Sequence, residues 1–175
     1  MAAYQDGDAA AFEELFRRLS PRVVGFLTGL SRQPALAQDL AQLTFLKVHR
    51  ARETYVRGAP VESWVFTIAR RTFIDEWRKR TRSKEGLTED GTLPEREADA
   101  ASAPDAAGEQ HAALKTLQDA LQTMPENQRQ ALMLVKVEGL SMVDAAAAAG
   151  ISVGAMKVRA HRAYTHLRKL LGGAP

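Results

Sequence analysis

Lys157, Arg159, His161, Arg162, Arg168 and Lys169 crowd one short stretch near the end of the chain, and no acidic residue follows Asp144. At 100° per residue they lie opposite an apolar stripe of Val153, Met156, Ala160, Ala163, Tyr164, Leu167, Leu170 and Leu171. A charge run on a helix is commonly just a solvated face. Here the helix is free of acids and follows a short helix and a glycine turn, over Leu140 to Arg159. In a helix-turn-helix, small residues sit where the helices touch, a glycine turns the chain and an apolar side chain locks the second helix. Ala146, Gly150, Ile151 and Met156 fall at those places. The chemistry this suits is contact with phosphates and base edges. Val158, pointing out among Lys157, His161 and Arg162, could meet a thymine methyl or be an incidental surface residue.

A second constellation lies in VESWVFTIARRTFIDEWRKRTR. Val61, Trp64, Val65, Ile68, Ala69 and Thr72 make an apolar arc, and Thr67, Arg70, Arg71 and Arg78 a polar, basic one. Phe66, Phe73 and Trp77 run along the border. Cations beside aromatics suit single-stranded nucleic acid, by phosphate tracking and base stacking. Packing of the three rings against neighbouring helices is the competing expectation. In the stretch 35–50, Leu36, Leu40 and Leu43 form an inward stripe. Phe45 falls beside Gln38, Gln42 and His49, as a protein-binding surface or as a contact with a second neighbour.

These side chains need scaffolding, and the pattern supplies only helices. Asp8 caps a helix over about 9–19; Pro21, Pro34 and Pro60 open others over about 21–31, 35–50 and 61–82. Further on, helices are expected over about 110–123, 126–138 (opened by Pro125), 142–149 (capped by Ser141) and 153–171 (capped by Ser152). The fold class is all-α. Between them, residues 83–109 hold 2 basic and 8 acidic side chains and few large apolar ones, the composition of a flexible linker. Residues 1–82 carry 14 basic against 9 acidic, and 110–175 carry 8 against 4. The formal charge of +3 is thus a cancellation between two basic domains and an acidic connector.

The runs AFEELFRRLSPRVVGFL, DLAQLTFLKVHRARETY and ESWVFTIARRTFIDEWRKRTR resemble the second conserved region of bacterial sigma-70-type factors. The run ALQTMPENQRQALMLVKVEGLSMVDAAAAAGISVGAMKVRAHRAYTHLRKLL resembles the fourth. Two regions alone, joined by a short linker, are similar to the extracytoplasmic-function (ECF) group. The resemblance implies a dissociable subunit of RNA polymerase with no cofactor and no small-molecule substrate, binding core polymerase (clamp coiled coil and flap), promoter DNA and an anti-sigma factor. It implies core-polymerase contacts at Asp39, Leu40, Gln42 and Phe45. Contact with the −10 element falls to the fourth helix (Thr67, Arg70, Arg71, Arg78) and the loop at about Glu53 to Glu62. Reading of the −35 element falls to Lys157, Val158, His161 and Arg162, with Arg159 on phosphate. The sequence departs from the family at His49, often Trp, at Arg71, often Asn, and at Val158, often polar. Five alanines at 145–149 replace the usual Glu-Ile-Ala pattern.

Other classes find little support. Zero cysteine removes disulfides, thiol nucleophiles and thiolate metal sites. There is no phosphate-cradling glycine loop, and His161 and His166 lie about 140° apart on their helix, which disfavours a shared metal. An enzyme is therefore not expected. Without an apolar run long enough to span a bilayer or a leader-like start, a soluble, cytoplasmic protein is expected. The rivals to a sigma factor are a stand-alone helix-turn-helix regulator and a helical adaptor binding only proteins.

Overall fold

A computed structural model describes residues 1–84 and 119–170, and every regular element among them is helical. A short turn, α1 (Ala2–Gln5), precedes α2 (Ala9–Ser31), whose N-terminus is capped by the Asp8 carboxylate accepting from the Ala11 N–H. Next come α3 (Pro34–Arg50), a 3₁₀ turn at Arg52–Thr54 and α4 (Val61–Lys84). The expected linker and the start of the next helix fall outside the described residues. Helix α5 is seen over 119–123. It is followed by α6 (Glu126–Leu132), a π-turn at Met133–Val137, α7 (Met142–Ala149) and α8 (Val153–Leu170).

Two elements differ from expectation. Pro21 does not start a helix; it sits inside α2. A proline there removes one hydrogen bond and crowds the preceding turn, at a cost of about 3 kcal/mol. Leu15, Leu19, Val23, Phe26, Leu27 and Leu30 nevertheless form one uninterrupted buried stripe, so packing on both sides of Pro21 holds the helix together. The helix opened by Pro125 does not stay α-helical either. It widens at Met133–Val137, with the Glu138 N–H donating to the Met133 carbonyl at 2.9 Å. The widened turn keeps Met133 and Leu134 buried while bringing Glu138 to face α2.

The core lies between the two halves as well as within them. Val23, Phe26, Leu40, Val48, Val65 and Phe66 are continuous with Met133, Leu134, Ala145, Ala149 and Met156. Polar cross-links reinforce the joint. Arg22 of α2 donates to Glu62 at 2.7 Å, to the Glu138 carboxylate at 3.1 Å and to the Glu138 carbonyl at 2.7 Å. Ser63 donates to the Asp144 carbonyl at 3.2 Å, and Arg129 reaches the Leu30 carbonyl at 3.3 Å. At Gly29 an added Cβ would come within 2.5 Å of the Met133 methyl, so a larger residue there would force that flexible side chain to shift. Helix α7 lies between α4 and α8. Four of its five alanines are buried, and their small side chains let neighbouring backbones approach closely.

Candidate nucleic-acid interface

The helix-turn-helix forms as its residues require. The Ser141 hydroxyl accepts from the Asp144 N–H to cap α7, and Gly150 ends that helix at φ +65°, a left-handed conformation that favours glycine. Ser152 caps α8 through the Ala155 N–H at 3.1 Å. Met156 and Ala160 are buried between the two helices, and Ala163 faces Met124 and Leu132. That fixes the rotation of α8. Lys157, Val158, His161 and Arg162 point to solvent, Val158 half exposed, while Arg159 is partly covered. Towards the C-terminal end, His161, Arg162, His166 and Lys169 line an open groove of about 330 Å³ with Gln128 and Thr165. Such a concave cationic surface is suited to phosphate.

The α4 candidates divide. Arg71 and Arg78 are exposed. Thr67 is partly covered and donates to the Ser63 carbonyl at 2.8 Å within its own helix. Arg70 is half-buried against the Gly150 turn, with Nε lacking a partner. Burial lowers its pKa, and the nearby charges of Arg159, Arg71 and Arg78 lower it further. The two basic helices are therefore brought close enough to repel one another at this point. The aromatics turn inward: Phe66 and Phe73 are buried, Phe66 edge-on to Phe26 at 5.3 Å, and Trp77 lies beside Phe73. Phe66 and Phe73 pack the core and are not open to stacking bases, whereas Trp77 is only partly covered.

On α3 the expected orientation needs correcting. Phe45 is not outward: it is 4% exposed, with the half-exposed Phe16 ring edge-on to it at 4.7 Å. Leu40 is buried too, whereas Leu43, expected inside, is 44% exposed, as is Leu46. The outward face thus carries Asp39, Gln42, Leu43 and Leu46. Ala37, Ala41 and Thr44 occupy the inward face, where α3 packs on both α2 and α4. Alanines and a threonine at inward positions, and leucines at outward ones, defeat a simple count of hydrophobicity.

The loop between α3 and α4 is closely held, by residues that showed no periodic signal in the sequence. Tyr55 is buried, donates its hydroxyl to the Ala59 carbonyl and packs edge-on to Trp64 at 5.4 Å. Gly58 turns the chain at φ +85°. From α1, Gln5 Nε2 donates to the carbonyls of Arg52 and Tyr55 at 2.7 and 2.9 Å. Asp6 forms a two-pronged ion pair with Arg57, and Tyr4 is hydrogen-bonded to His49.

A family model for sigma-70 region 2 matches residues 15–83, and one for sigma-70 region 4 matches 114–167. The chain is 42% identical to the RNA polymerase sigma factor CarQ of Myxococcus xanthus, over 98% of this chain and 95% of that one. It is 38% identical to the ECF RNA polymerase sigma factor SigF of Caulobacter vibrioides, over 93% and 86%. Among solved structures it is similar to the sigma factor RpoE of Bartonella quintana in complex with the anti-sigma factor NepR. The TM-score is 0.75 and the identity 29%, covering 94% of this chain and 99% of that one. The fold also matches CnrH, solved with the cytosolic domain of CnrY, at a TM-score of 0.70 and 21% identity, covering 99% and 96%.

Proposed function

The chain belongs to the sigma-70 family of RNA polymerase sigma factors, in its ECF group, and from that premise we propose how its own residues divide the work of promoter recognition. It binds core polymerase, directs it to a promoter and opens the −10 region, acting by binding and carrying no bond-making chemistry itself. Lys157, Val158, His161 and Arg162 read the −35 element in the major groove, with Arg159 on phosphate. The exposure of the first four together, on an acid-free face, is the observation that carries this assignment. Thr67, Arg70, Arg71 and Arg78 serve the −10 element together with the loop between α3 and α4. Core polymerase docks on Asp39 and Gln42, joined by Leu43 and Leu46, while Leu40 and Phe45 act from behind by shaping α3. An anti-sigma factor is its regulatory partner, supported by the likeness to RpoE of Bartonella quintana in complex with NepR. No helix among the described residues is long and apolar enough to cross a membrane, consistent with work alongside polymerase in the cytoplasm.

Transcription in vitro on a randomised promoter library tests this directly. Protein plus core should initiate at promoters that core alone ignores, with both elements enriched among the transcripts. Specific duplex binding without core, and no initiation with it, would instead mark a stand-alone regulator.

A further inference from the structure

The loop 51–60 serves the −10 strand in the proposed division of work, and the role of Gln5 rests on that assignment. A loop that recognises unpaired bases must present its backbone and side chains in one conformation, because misplacement of a contact by about 1 Å forfeits much of its value. Tyr55 closes the loop from within. From outside, Gln5 holds it: both amide protons go to the carbonyls of Arg52, the first residue of the 3₁₀ turn at Arg52–Thr54, and of Tyr55, just after it. Those two acceptors also fix which way the amide points, since a flipped Gln5 would set oxygen against oxygen. The Asp6–Arg57 pair and the Tyr4–His49 hydrogen bond add a tie on either side. Tyr4 is itself stacked on Phe12 of α2 at 4.8 Å, which anchors the turn to the bundle.

We infer that Gln5 is a positioning residue for base recognition at the −10 element, holding the α3–α4 loop through its two carbonyl contacts. Asp6 completes the device by engaging Arg57, which otherwise would be free to seek phosphate indiscriminately. The turn thus favours base discrimination over bare affinity for single strands.

The test uses the full chain bound to core polymerase on the randomised promoter library, with wild type, Gln5→Leu, Gln5→Asn and the loop variant Val56→Ala/Arg57→Ala. Gln5→Leu should flatten the −10 preference about tenfold and leave the −35 preference and core affinity intact. Gln5→Asn, too short to reach both carbonyls, should act in the same direction and stands in if the leucine variant folds poorly. Hydrogen exchange at residues 52–57 should quicken in both. Asp6→Asn should bind single-stranded DNA more tightly at low salt, with a slope of log affinity on log salt steeper by about 0.7 for each phosphate gained. A wild-type −10 preference in both Gln5 variants, while the loop variant changes it, would overturn the positioning role alone. No change in the loop variant would remove the −10 assignment of the loop and the role of Gln5 with it. Flattening of both promoter elements together would show a general loss of structure and equally count against the proposal.

Discussion

Arg22 and Glu138 form an unequal pair. The Glu138 side chain is 3% exposed and that of Arg22 33%, and Arg22 has a second carboxylate in Glu62. Burial, together with the nearby Glu62 charge, raises the Glu138 pKa further than Arg22 lowers it. Removing the cation strands a buried carboxylate, whereas removing the carboxylate leaves a partnered, solvated guanidinium. Arg22→Ala should therefore cost about 3 kcal/mol at pH 7 and Glu138→Gln about 1 or less, measured by urea unfolding. A carboxyl whose folded pKa is raised contributes stability that is full below its unfolded pKa and is lost as pH rises through the folded one. The deficit of Arg22→Ala should accordingly shrink between pH 7 and the carboxylate range. On α8, Lys157→Ala or Arg162→Ala should cost about 1–3 kcal/mol in duplex binding and relax one −35 position. On α3, Phe45→Ala should lose about 3–5 kcal/mol of stability. Leu43→Asp or Leu46→Asp should stay within about 0.5 kcal/mol of wild type, yet weaken core binding measurably in a pull-down titration. The α8 side chains could be read from sequence where Met156, Ala160 and Ala163 are buried opposite the exposed Lys157, His161 and Arg162, whereas Tyr164 and Leu170, expected in the same apolar stripe, are exposed because no helix among the described residues covers them there. Leu43 and Phe45 could not, since α3 has two packed neighbours and alanines on its buried side.

At the level of elements, sequence signals worked where a terminus is set locally. Ser141, Gly150, Ser152 and Pro34 each mark an end through a hydrogen bond or a fixed φ, and those ends stand where expected. Pro21 misled because a long-range stripe outweighed a local penalty, and the π-turn was hidden because its reason, the approach of Glu138 to Arg22, lies 116 residues away. Pro21→Ala should restore a hydrogen bond to the Arg17 carbonyl and raise stability by about 1–3 kcal/mol, visible as a higher urea midpoint. The alanines of α7 allow the opposite change. Ala148→Leu overfills a packed joint and should cost about 1–3 kcal/mol, while the exposed Ala147 should accept Glu with little effect.

Across the whole molecule, the proposed reading surfaces lie too near each other for both to work at once. Arg70 and Arg159 are close enough to repel, whereas −10 and −35 elements, some 25 base pairs apart, are separated by about 85 Å of B-form DNA. The 34 residues between 84 and 119 can span at most about 110–120 Å, so chain length permits the halves to part. Because the chain has no cysteine, Ala35→Cys/Ala147→Cys gives two unique dye sites on exposed positions. Energy transfer should be high in the free protein and fall on formation of the promoter complex; equal transfer in both would show that the joint persists on DNA. The shared core also has a consequence in time. The first half leaves the ribosome with the Arg22 face and its apolar surroundings uncovered, and Ala160 is added 76 residues after Lys84. At 5–20 residues per second that interval is roughly 4–15 s. For those seconds a nascent sigma factor has a surface that the finished protein conceals, so order of synthesis decides which neighbour meets it first.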